Sequence, residues 1–270
     1  MKIAFIGGGN MAVALIGGLI RHGISQSDLY VIDVNEDARH RVVNQFAVTS
    51  SAIIDAALAR YDAVVLAVKP QALKVVAQAL APHLDTQLVI SIAAGVRLGD
   101  LCQWLGGYRR VVRAMPNTPA LVGMGMTALA ATDAVDASGR QAAEEIVSVA
   151  GAHLWLDDES GLDAVTAISG SGPAYVFYFI EALQDAARRL GLSEKQSATL
   201  AVATFRGAAQ LAVESAEPVS VLRERVTSKG GTTAAALNAF DVQHVKEAIV
   251  NGALAAAARA SQIGDELGAQ

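Results

Sequence analysis

Short apolar runs alternate with stretches of helical period along the first 157 residues. Seven of these runs have the length of buried strands, and the segments between them place apolar residues three and four positions apart. Strands separated by helices favour right-handed crossovers and a parallel sheet covered on both faces. The pattern therefore predicts a doubly wound α/β domain over residues 1–157. The predicted strands are Lys2–Ile6, Leu29–Asp33, Asp62–Val68, Gln87–Ile92, Val111–Ala114, Met126–Ala131 and His153–Leu156.

The strand pattern disappears after residue 157, and long alanine-rich segments of helical period follow. We predict an all-helical domain over residues 158–270, with a frayed tail at Gly264–Gln270. Small and apolar residues on several faces of such helices favour burial against a second copy of the chain. The sequence therefore predicts a homo-oligomer built through this domain. The predicted helices are Leu162–Leu190, Ser193–Glu214, Val219–Arg225, Thr232–Ala239 and Val242–Ile263.

A glycine-rich turn joins the first predicted strand to the first predicted helix. Its spacing is Gly7-x-Gly9-x-x-Ala12, the alanine-ending form of the Rossmann dinucleotide fingerprint. Gly7 permits a tight turn, Gly9 lets a pyrophosphate approach the backbone, and Ala12 allows close packing of helix on strand. The free N–H groups of the helix would face the phosphates. A glycine turn without a ligand is the alternative interpretation.

The end of the second predicted strand bears on which dinucleotide is bound. Asp33 lies 24 residues after Gly9 (33 − 9), where an acid holds the adenine ribose 2′-OH of NAD. Asn35 and Arg39 lie just beyond, and Arg39 is a candidate for meeting a 2′-phosphate instead. A solvated helix face is the other interpretation of Arg39 and its neighbour Arg41.

Two more predicted strands end in proline-containing loops at the carboxyl edge of the sheet, where open α/β folds bind ligands. Lys69 precedes Pro70 and is a candidate neighbour of the cofactor. Asn117 lies between Pro116 and Pro119, which restrict the backbone and suit an amide contact to a nicotinamide carboxamide. The Lys69 loop is equally compatible with a purely structural turn, and composition alone favours a structural turn for the Asn117 loop.

Two glycine-rich segments of the helical half precede predicted helices. Ser169–Tyr175 is either an anion site at exposed N–H groups or a well-capped helix start. Val226–Thr233 carries a Gly-Gly pair bracketed by hydroxyl residues, which suits a carboxylate or a phosphate. It lacks the spacing of a nucleotide P-loop.

Composition narrows the classes of function. The formal net charge of −5 offers no electrostatic reason to expect binding to nucleic acid or to an anionic membrane. Arg206 and Asn251 interrupt apolar stretches too short to span a membrane. Cys102 is the only cysteine, which fits a reducing, cytoplasmic location. The five histidines are not at metal-ligand spacing, so we predict no metal site.

Five segments in this order together resemble Δ1-pyrroline-5-carboxylate reductases, the enzymes of the last step of proline biosynthesis: FIGGGNMAVALIGGL, AVKP, RAMPNTP, SGSGPAY and VTSKGGTT. The resemblance implies a Rossmann domain followed by a helical domain that interleaves with a partner, often in a decamer. It also implies reduction of pyrroline-5-carboxylate to L-proline by hydride transfer from NADPH or NADH. The cofactor carries the hydride chemistry, so the protein orients and stabilises the reactants.

The resemblance also implies roles for particular residues. Thr233 would place its hydroxyl at the nitrogen of the substrate ring, and Val122 and Val226 would line the substrate pocket. The substrate carboxylate would lie against Ser228, Gly230, Gly231 and Thr232. The cofactor would contact Ile6, Gly7, Gly9, Asn10, Met11, Ala12, Asp33, Asn35, Val68, Lys69, Pro70 and Asn117.

The chain departs from the family pattern at two positions. Members commonly carry Ser or Arg for the 2′-phosphate where this chain has Asp33-Val34-Asn35, so NADPH is favoured by resemblance while NADH stays open. Lys229 stands where many members have proline. The alternative enzyme class is a β-hydroxyacid dehydrogenase, whose catalytic helical lysine would have to be Lys195 or Lys246, and neither carries a supporting motif. A non-enzymatic dinucleotide sensor is the alternative outside the enzymes.

Overall fold

A computed structural model describes residues 1–269 of the chain and contains one eight-stranded sheet. The strand order is β3-β2-β1-β4-β5-β6-β7-β8, so the first strand lies inside the sheet between two parallel neighbours. This order places the carboxyl ends of β1, β4, β5 and β6 side by side. The strands are β1 (Ile3–Ile6), β2 (Leu29–Ile32), β3 (Thr49–Ser51), β4 (Ala63–Leu66), β5 (Leu88–Ser91), β6 (Val111–Met115), β7 (Gly125–Ala131) and β8 (Gly151–Trp155).

The prediction of a wholly parallel sheet is wrong at one edge. Strands β1 to β6 are parallel, but β7 runs antiparallel to β6, and β8 is parallel to β7. The connection from β6 to β7 covers residues 116–124 and contains only a 3-10 turn at Thr118–Val122. A parallel crossover needs about a dozen residues or more, so this connection is too short for one.

The edge strand β3 is absent from the predicted strands. It has only three residues, Thr49, Ser50 and Ser51, and all are polar. Neither the length nor the apolar alternation that marks a strand is present in this segment. Its pairing with β2 supplies the backbone partners instead.

Helices cover both faces of the sheet, which confirms the doubly wound Rossmann-type fold. Successive residues of β1 point to opposite faces: Phe5 packs in one core with Leu15 and Ile16, whereas Ile6 packs in the other with Leu73. The helices in this part of the chain are α1 (Asn10–Arg21), α2 (Glu36–Phe46), α3 (Pro70–Leu80), α4 (Leu98–Trp104), α5 (Ala137–Ser148) and α6 (Gly161–Val165).

The chain after α6 is helical, as predicted, but the helix expected over Leu162–Leu190 is interrupted. A π-helical turn at Thr166–Gly170 separates α6 from the next helix, and the Ser171 N–H donates to the Thr166 carbonyl oxygen at 2.8 Å. Pro173 lacks an N–H group and so cannot donate to the carbonyl oxygen four positions earlier, which interrupts regular α-helical hydrogen bonding in this segment. The remaining helices are α7 (Gly172–Arg189), α8 (Glu194–Glu214), α9 (Val219–Arg225), α10 (Thr232–Val242) and α11 (Val245–Gly268).

The predicted frayed tail is wrong for the described residues, because α11 continues to Gly268. Leu267 is buried in the core beside α4, and Ile263 packs there too. The carboxylate of Asp265 lies 2.7 Å from the guanidinium of Arg97. Gln270 lies outside the described residues.

The structure divides into two compact units. The first comprises Met1–Ser171 together with the chain from Ala256 onward, and the second is Gly172–Ala255. The predicted domains 1–157 and 158–270 were defined by the sequence pattern, whereas these two units are defined by contacts within a single chain. The predicted boundary therefore stays a prediction. Within residues 1–269, no helix combines the length and the apolarity that a membrane crossing requires.

Candidate active site

The turn after β1 is tight and has room for glycine alone at Gly7. Its φ is +104°, and its N–H donates to the Ile32 carbonyl oxygen at 2.7 Å. A Cβ atom built on Gly7 would lie 2.6 Å from the carbonyl oxygen of Ala67. Both the dihedral and the contact exclude a side chain there. The loops after β1 and β4 therefore touch at the predicted cofactor edge.

Gly9 has the opposite environment, because no atom lies within 4 Å of a Cβ built there. It is the N-cap of α1, and no side chain caps that helix. The N–H groups of the first turn thus face open space beside exposed Asn10 and half-buried Met11. Ala12 is fully buried in the core below. This combination of uncapped donors, open space and close packing fits a pyrophosphate.

Both carboxylate oxygens of Asp33 are engaged within the protein. One accepts from the Gly8 N–H at 2.7 Å, and the other accepts from the Asn35 N–H at 2.8 Å. Asp33 therefore ties the β2–α2 loop to the glycine turn. The Asn35 side chain caps α2 by accepting from the Ala38 N–H.

Two guanidinium groups lie beside these loops. One N–H group of Arg39 donates to the carbonyl oxygens of Asp33 and Val34, and Arg41 donates to the carbonyl oxygen of Gly8 at 2.9 Å. Among residues 1–269, no carboxylate forms an ion pair with either arginine within 4.0 Å. Both cations thus keep free donors at this end of the sheet.

The loop after β4 leads directly into α3. The Ala67 N–H donates to the Ile6 carbonyl oxygen at 2.8 Å, which fixes the loop beside β1. Lys69 is the exposed N-cap residue of α3, and Pro70 occupies the first helical position, where its missing N–H is tolerated. Val68 lies between Ala67 and Lys69 and is partly buried.

Both the oxygen and the nitrogen of the Asn117 side-chain amide, in the loop after β6, form hydrogen bonds. Its oxygen accepts from the Met126 N–H at 2.9 Å, and its nitrogen donates to both the carbonyl oxygen and the hydroxyl of Ser169. The structure therefore joins two motifs that the sequence separates by 52 positions. A direct contact between this amide and nicotinamide stays a prediction.

The loop before α10 contains a tight turn from Ser228 to Gly231. The Gly231 N–H donates to the Ser228 carbonyl oxygen at 3.0 Å, and Gly230 has a φ of +72°. Lys229 occupies the second position of this turn, where proline is favoured. The Gly231 N–H is thus engaged within the turn, unlike its predicted role in holding the substrate carboxylate.

The start of α10 retains several free donors. Gly231 is the N-cap, and no side chain caps the helix. Among the described residues, the hydroxyls of Ser228, Thr232 and Thr233 make no hydrogen bond, so these three groups and the first N–H groups of α10 are available to an anion. Val226, just before the turn, is exposed, and so is Val122, which belongs to the other compact unit.

Comparison with known proteins decides the family. Residues 159–263 match the family model described as pyrroline-5-carboxylate reductase dimerisation, and residues 2–95 match NADP oxidoreductase coenzyme F420-dependent. The pyrroline-5-carboxylate reductase of Pseudomonas aeruginosa is 46% identical over 99% of this chain and 98% of its own length. The chain belongs to the pyrroline-5-carboxylate reductase family.

Solved structures of pyrroline-5-carboxylate reductases agree with this assignment. The Coxiella burnetii protein has a TM-score of 0.90 at 38% identity and covers 97% of this chain and 98% of its own. The Plasmodium falciparum protein, solved with NADP bound, has a TM-score of 0.87 at 31% identity and covers 98% of both chains. The family predicted from five ordered motifs is confirmed, and with it the class of oxidoreductase in proline biosynthesis.

The sequence interpretation of this reductase missed a buried ion pair beneath the site. Arg113, on β6, is almost fully buried and lies 2.7 Å from the carboxylate of Glu159 and 3.8 Å from that of Asp163. Glu159 also accepts from the Leu98 N–H at 2.7 Å. An arginine inside an otherwise apolar strand was the available signal, because a buried charge requires a partner.

Proposed function

We propose that this chain reduces Δ1-pyrroline-5-carboxylate to L-proline, with NADPH as the hydride donor. Family membership supports the reaction. The observation that carries the proposal in this chain is the loop before α10, where three unbonded hydroxyls adjoin an uncapped helix start. An anionic substrate with a neighbouring ring nitrogen matches that set of donors.

The residues around the glycine turn would hold the dinucleotide. Gly9, Asn10 and Met11 would lie against the pyrophosphate, since the N–H groups at the start of α1 are uncapped and open. Val68, Lys69 and Pro70 would flank the other side, because their loop touches the glycine turn. When bound, the reduced nicotinamide supplies the hydride.

The residues around α10 would bind the substrate. The hydroxyls of Ser228 and Thr232 and the free N–H groups of the helix start would donate to the carboxylate. The Thr233 hydroxyl would contact the ring nitrogen and hold it in position. Because a protonated imine is already electrophilic, these neutral donors suffice without an acid and base pair.

A preference for NADPH over NADH follows from the charges beside the glycine turn. Both carboxylate oxygens of Asp33 already accept from backbone N–H groups, so Asp33 has less capacity to accept from a ribose hydroxyl. Arg39 and Arg41 have free guanidinium donors and no carboxylate partner among residues 1–269. Guanidinium groups match phosphate geometry, so these two arginines would meet the 2′-phosphate.

We further propose that domain 158–270 forms a dimer, and that dimers assemble into a decamer in the cytoplasm. The dimerisation model matches residues 159–263, which supports both self-association and the predicted domain boundary. Large apolar side chains are exposed in this part of the chain, among them Tyr178 and Val213. Pairing with a second copy would remove them from water.

Initial rates test the proposed reaction and the cofactor preference together. Pyrroline-5-carboxylate should cause rapid oxidation of NADPH and slower oxidation of NADH, and L-proline should accumulate. If neither dinucleotide is oxidised, while 3-hydroxyisobutyrate or 6-phosphogluconate is turned over, the chain is a β-hydroxyacid dehydrogenase. A faster rate with NADH would overturn the roles of Arg39 and Arg41.

A further inference from the structure

We propose that Ser169 is a further cofactor-binding residue, whose hydroxyl donates to the carboxamide oxygen of the nicotinamide, and that Asn117 is the residue that positions it. The inference rests on the proposed function insofar as that function requires a nicotinamide dinucleotide. Ser169, Asn117 and Met126 all belong to the compact unit that contains the glycine turn.

The direction of the bond between Asn117 and Ser169 follows from a third group. The main-chain N–H of Met126 is a donor and lies 2.9 Å from one end of the Asn117 amide, so that end must be the oxygen. The NH₂ group therefore faces Ser169, at 3.1 Å from its hydroxyl oxygen and 3.2 Å from its carbonyl oxygen. Ser169 Oγ is the acceptor, and its own proton is left for another partner.

The Ser169 carbonyl is available to Asn117 because of Pro173. In a regular α-helix this carbonyl would accept from the residue four positions later, which is proline and has no N–H group. The π-helical turn Thr166–Gly170 carries the segment past this break. The two-point contact with Asn117 then fixes the serine side chain in one position.

No acceptor for the Ser169 proton exists among residues 1–269, although the side chain is partly buried. A hydroxyl that is held as an acceptor and has no protein acceptor of its own can donate its proton to water or to a bound ligand. The chain leading to Ser169 is also anchored to the sheet, because Arg113 on β6 pairs with Glu159 just before α6. A Cβ on Gly170 would lie 2.6 Å from the Met115 side chain, which shows how closely the turn packs on β6.

The position in the sheet identifies the ligand group. The adenosine end of a dinucleotide lies toward the loop after β2, on one side of the glycine turn. Asn117 follows β6, three strands away from β1 on the other side, and the 3-10 turn that begins at Thr118 packs on α1. The nicotinamide therefore lies on the Ser169 side. Its carboxamide oxygen is an acceptor that a hydroxyl donor can recognise.

Calorimetric binding of two ligands tests the inference. NADPH carries the nicotinamide, whereas 2′-phospho-ADP-ribose has the same adenosine, ribose and phosphate groups without it. Ser169→Ala should weaken NADPH about tenfold, the effect of losing one hydrogen bond, and leave 2′-phospho-ADP-ribose unchanged. Ser160→Ala is the matched control, since Ser160 is exposed and, among the described residues, its hydrogen bonds involve only its main-chain N–H and carbonyl oxygen, which the substitution keeps.

Equal loss for both ligands, or no loss for either, would overturn the inference. The result is separable from the proposed reaction, because it measures binding alone. A wild-type chain that binds NADPH but does not reduce pyrroline-5-carboxylate would refute the substrate assignment. The difference between the two ligands would still decide the role of Ser169.

Asn117→Asp tests whether Asn117 acts through Ser169. The carboxylate can still accept from the Met126 N–H, but it cannot donate to Ser169, so the Ser169 hydroxyl would turn and donate to it. The same selective loss of NADPH affinity should appear, and the double variant with Ser169→Ala should show no additional loss. Additive losses in the double variant would show that Asn117 contacts the ligand independently.

Discussion

The two compact units differ in how completely each buries its own apolar side chains and pairs its own hydrogen-bonding groups. Met1–Ser171 buries two apolar cores on the faces of its sheet, and its site loops are hydrogen-bonded to one another. In Gly172–Ala255, only Ser197 and Ala201 are buried, and α7, α9 and α10 bury no residue. The first unit is complete as one chain, whereas the second presents surfaces and donors for something else.

This difference separates the two tasks of the enzyme. The dinucleotide would bind to a framework that is already rigid, because Gly7, Asp33 and Ala67 hold the loops together. The loop before α10, which we propose binds the substrate, has free hydroxyls on an exposed helix start. Its surroundings would be completed when a second copy covers the apolar faces of the helices. Substitutions in the two units should therefore affect different measurements.

The largest expected effect is the loss of dinucleotide binding in Gly9→Val. The new side chain would meet no protein atom within 4 Å of its Cβ, so folding should be unchanged. It would enter the space proposed for the pyrophosphate and block several charge-assisted hydrogen bonds, weakening NADPH by about 100-fold or more. Calorimetry measures the affinity, and an unchanged thermal transition is the control. Wild-type affinity in this variant would refute the docking at α1.

The next effect is on assembly. Tyr178 lines an apolar groove with Phe179 and Ile249, and the Tyr178 residue is 70% exposed. Tyr178→Glu places a charge on that surface and should convert the proposed assembly to monomers at micromolar concentration, as read by light scattering. Val75→Glu is the matched control, because Val75 is also 70% exposed but lies in the first unit. Dissociation by both variants, or by neither, would contradict the contrast between the units.

Removal of the Thr233 hydroxyl should affect turnover and spare the cofactor. In Thr233→Ala we expect kcat to fall roughly 10- to 100-fold, the range for one positioned donor, with unchanged NADPH affinity. Thr233→Ser keeps the hydroxyl and should retain most of the activity. Thr199→Ala controls for loss of an exposed helical threonine hydroxyl, which there is bonded to the Lys195 carbonyl oxygen. Full turnover in Thr233→Ala would exclude the hydroxyl from the reaction.

The smallest effect is expected from Lys229→Pro. Lys229 is the second residue of the Ser228–Gly231 turn, and proline presets the dihedral that this position requires. The variant should gain about 0.4 to 1 kcal/mol of stability, measured by chemical unfolding, and its KM for the substrate should not rise. A marked loss of substrate affinity would instead give the Lys229 charge a role beside the carboxylate.

The local chemistry of the glycine turn could be predicted from sequence because each requirement lies within a few residues. A tight turn, an open approach and a small packing residue are encoded by Gly7, Gly9 and Ala12, and all three are found. The helical second half was likewise evident from its period. Its side chains are more exposed than those of the first half, which agrees with the prediction of an oligomer.

The missed features depend on contacts distant in sequence. Ser169 meets Asn117 because Pro173 frees a carbonyl and the π-helical turn redirects the chain, and no spacing within either motif indicates this. The end of α11 looked like an ordinary polar terminus, yet Leu267 reaches the core beside α4. The direction of β7 was within reach, because the short connection from β6 excludes a parallel crossover.

One labelling measurement tests the central claim most directly. The chain is incubated with pyrroline-5-carboxylate and NADPH carrying two deuterium atoms at C4 of the nicotinamide, and the product is examined by mass spectrometry. L-Proline with a single deuterium at C5 is the result we predict. Unlabelled proline, or no proline while the NADPH is oxidised, would contradict hydride transfer to the cyclic imine.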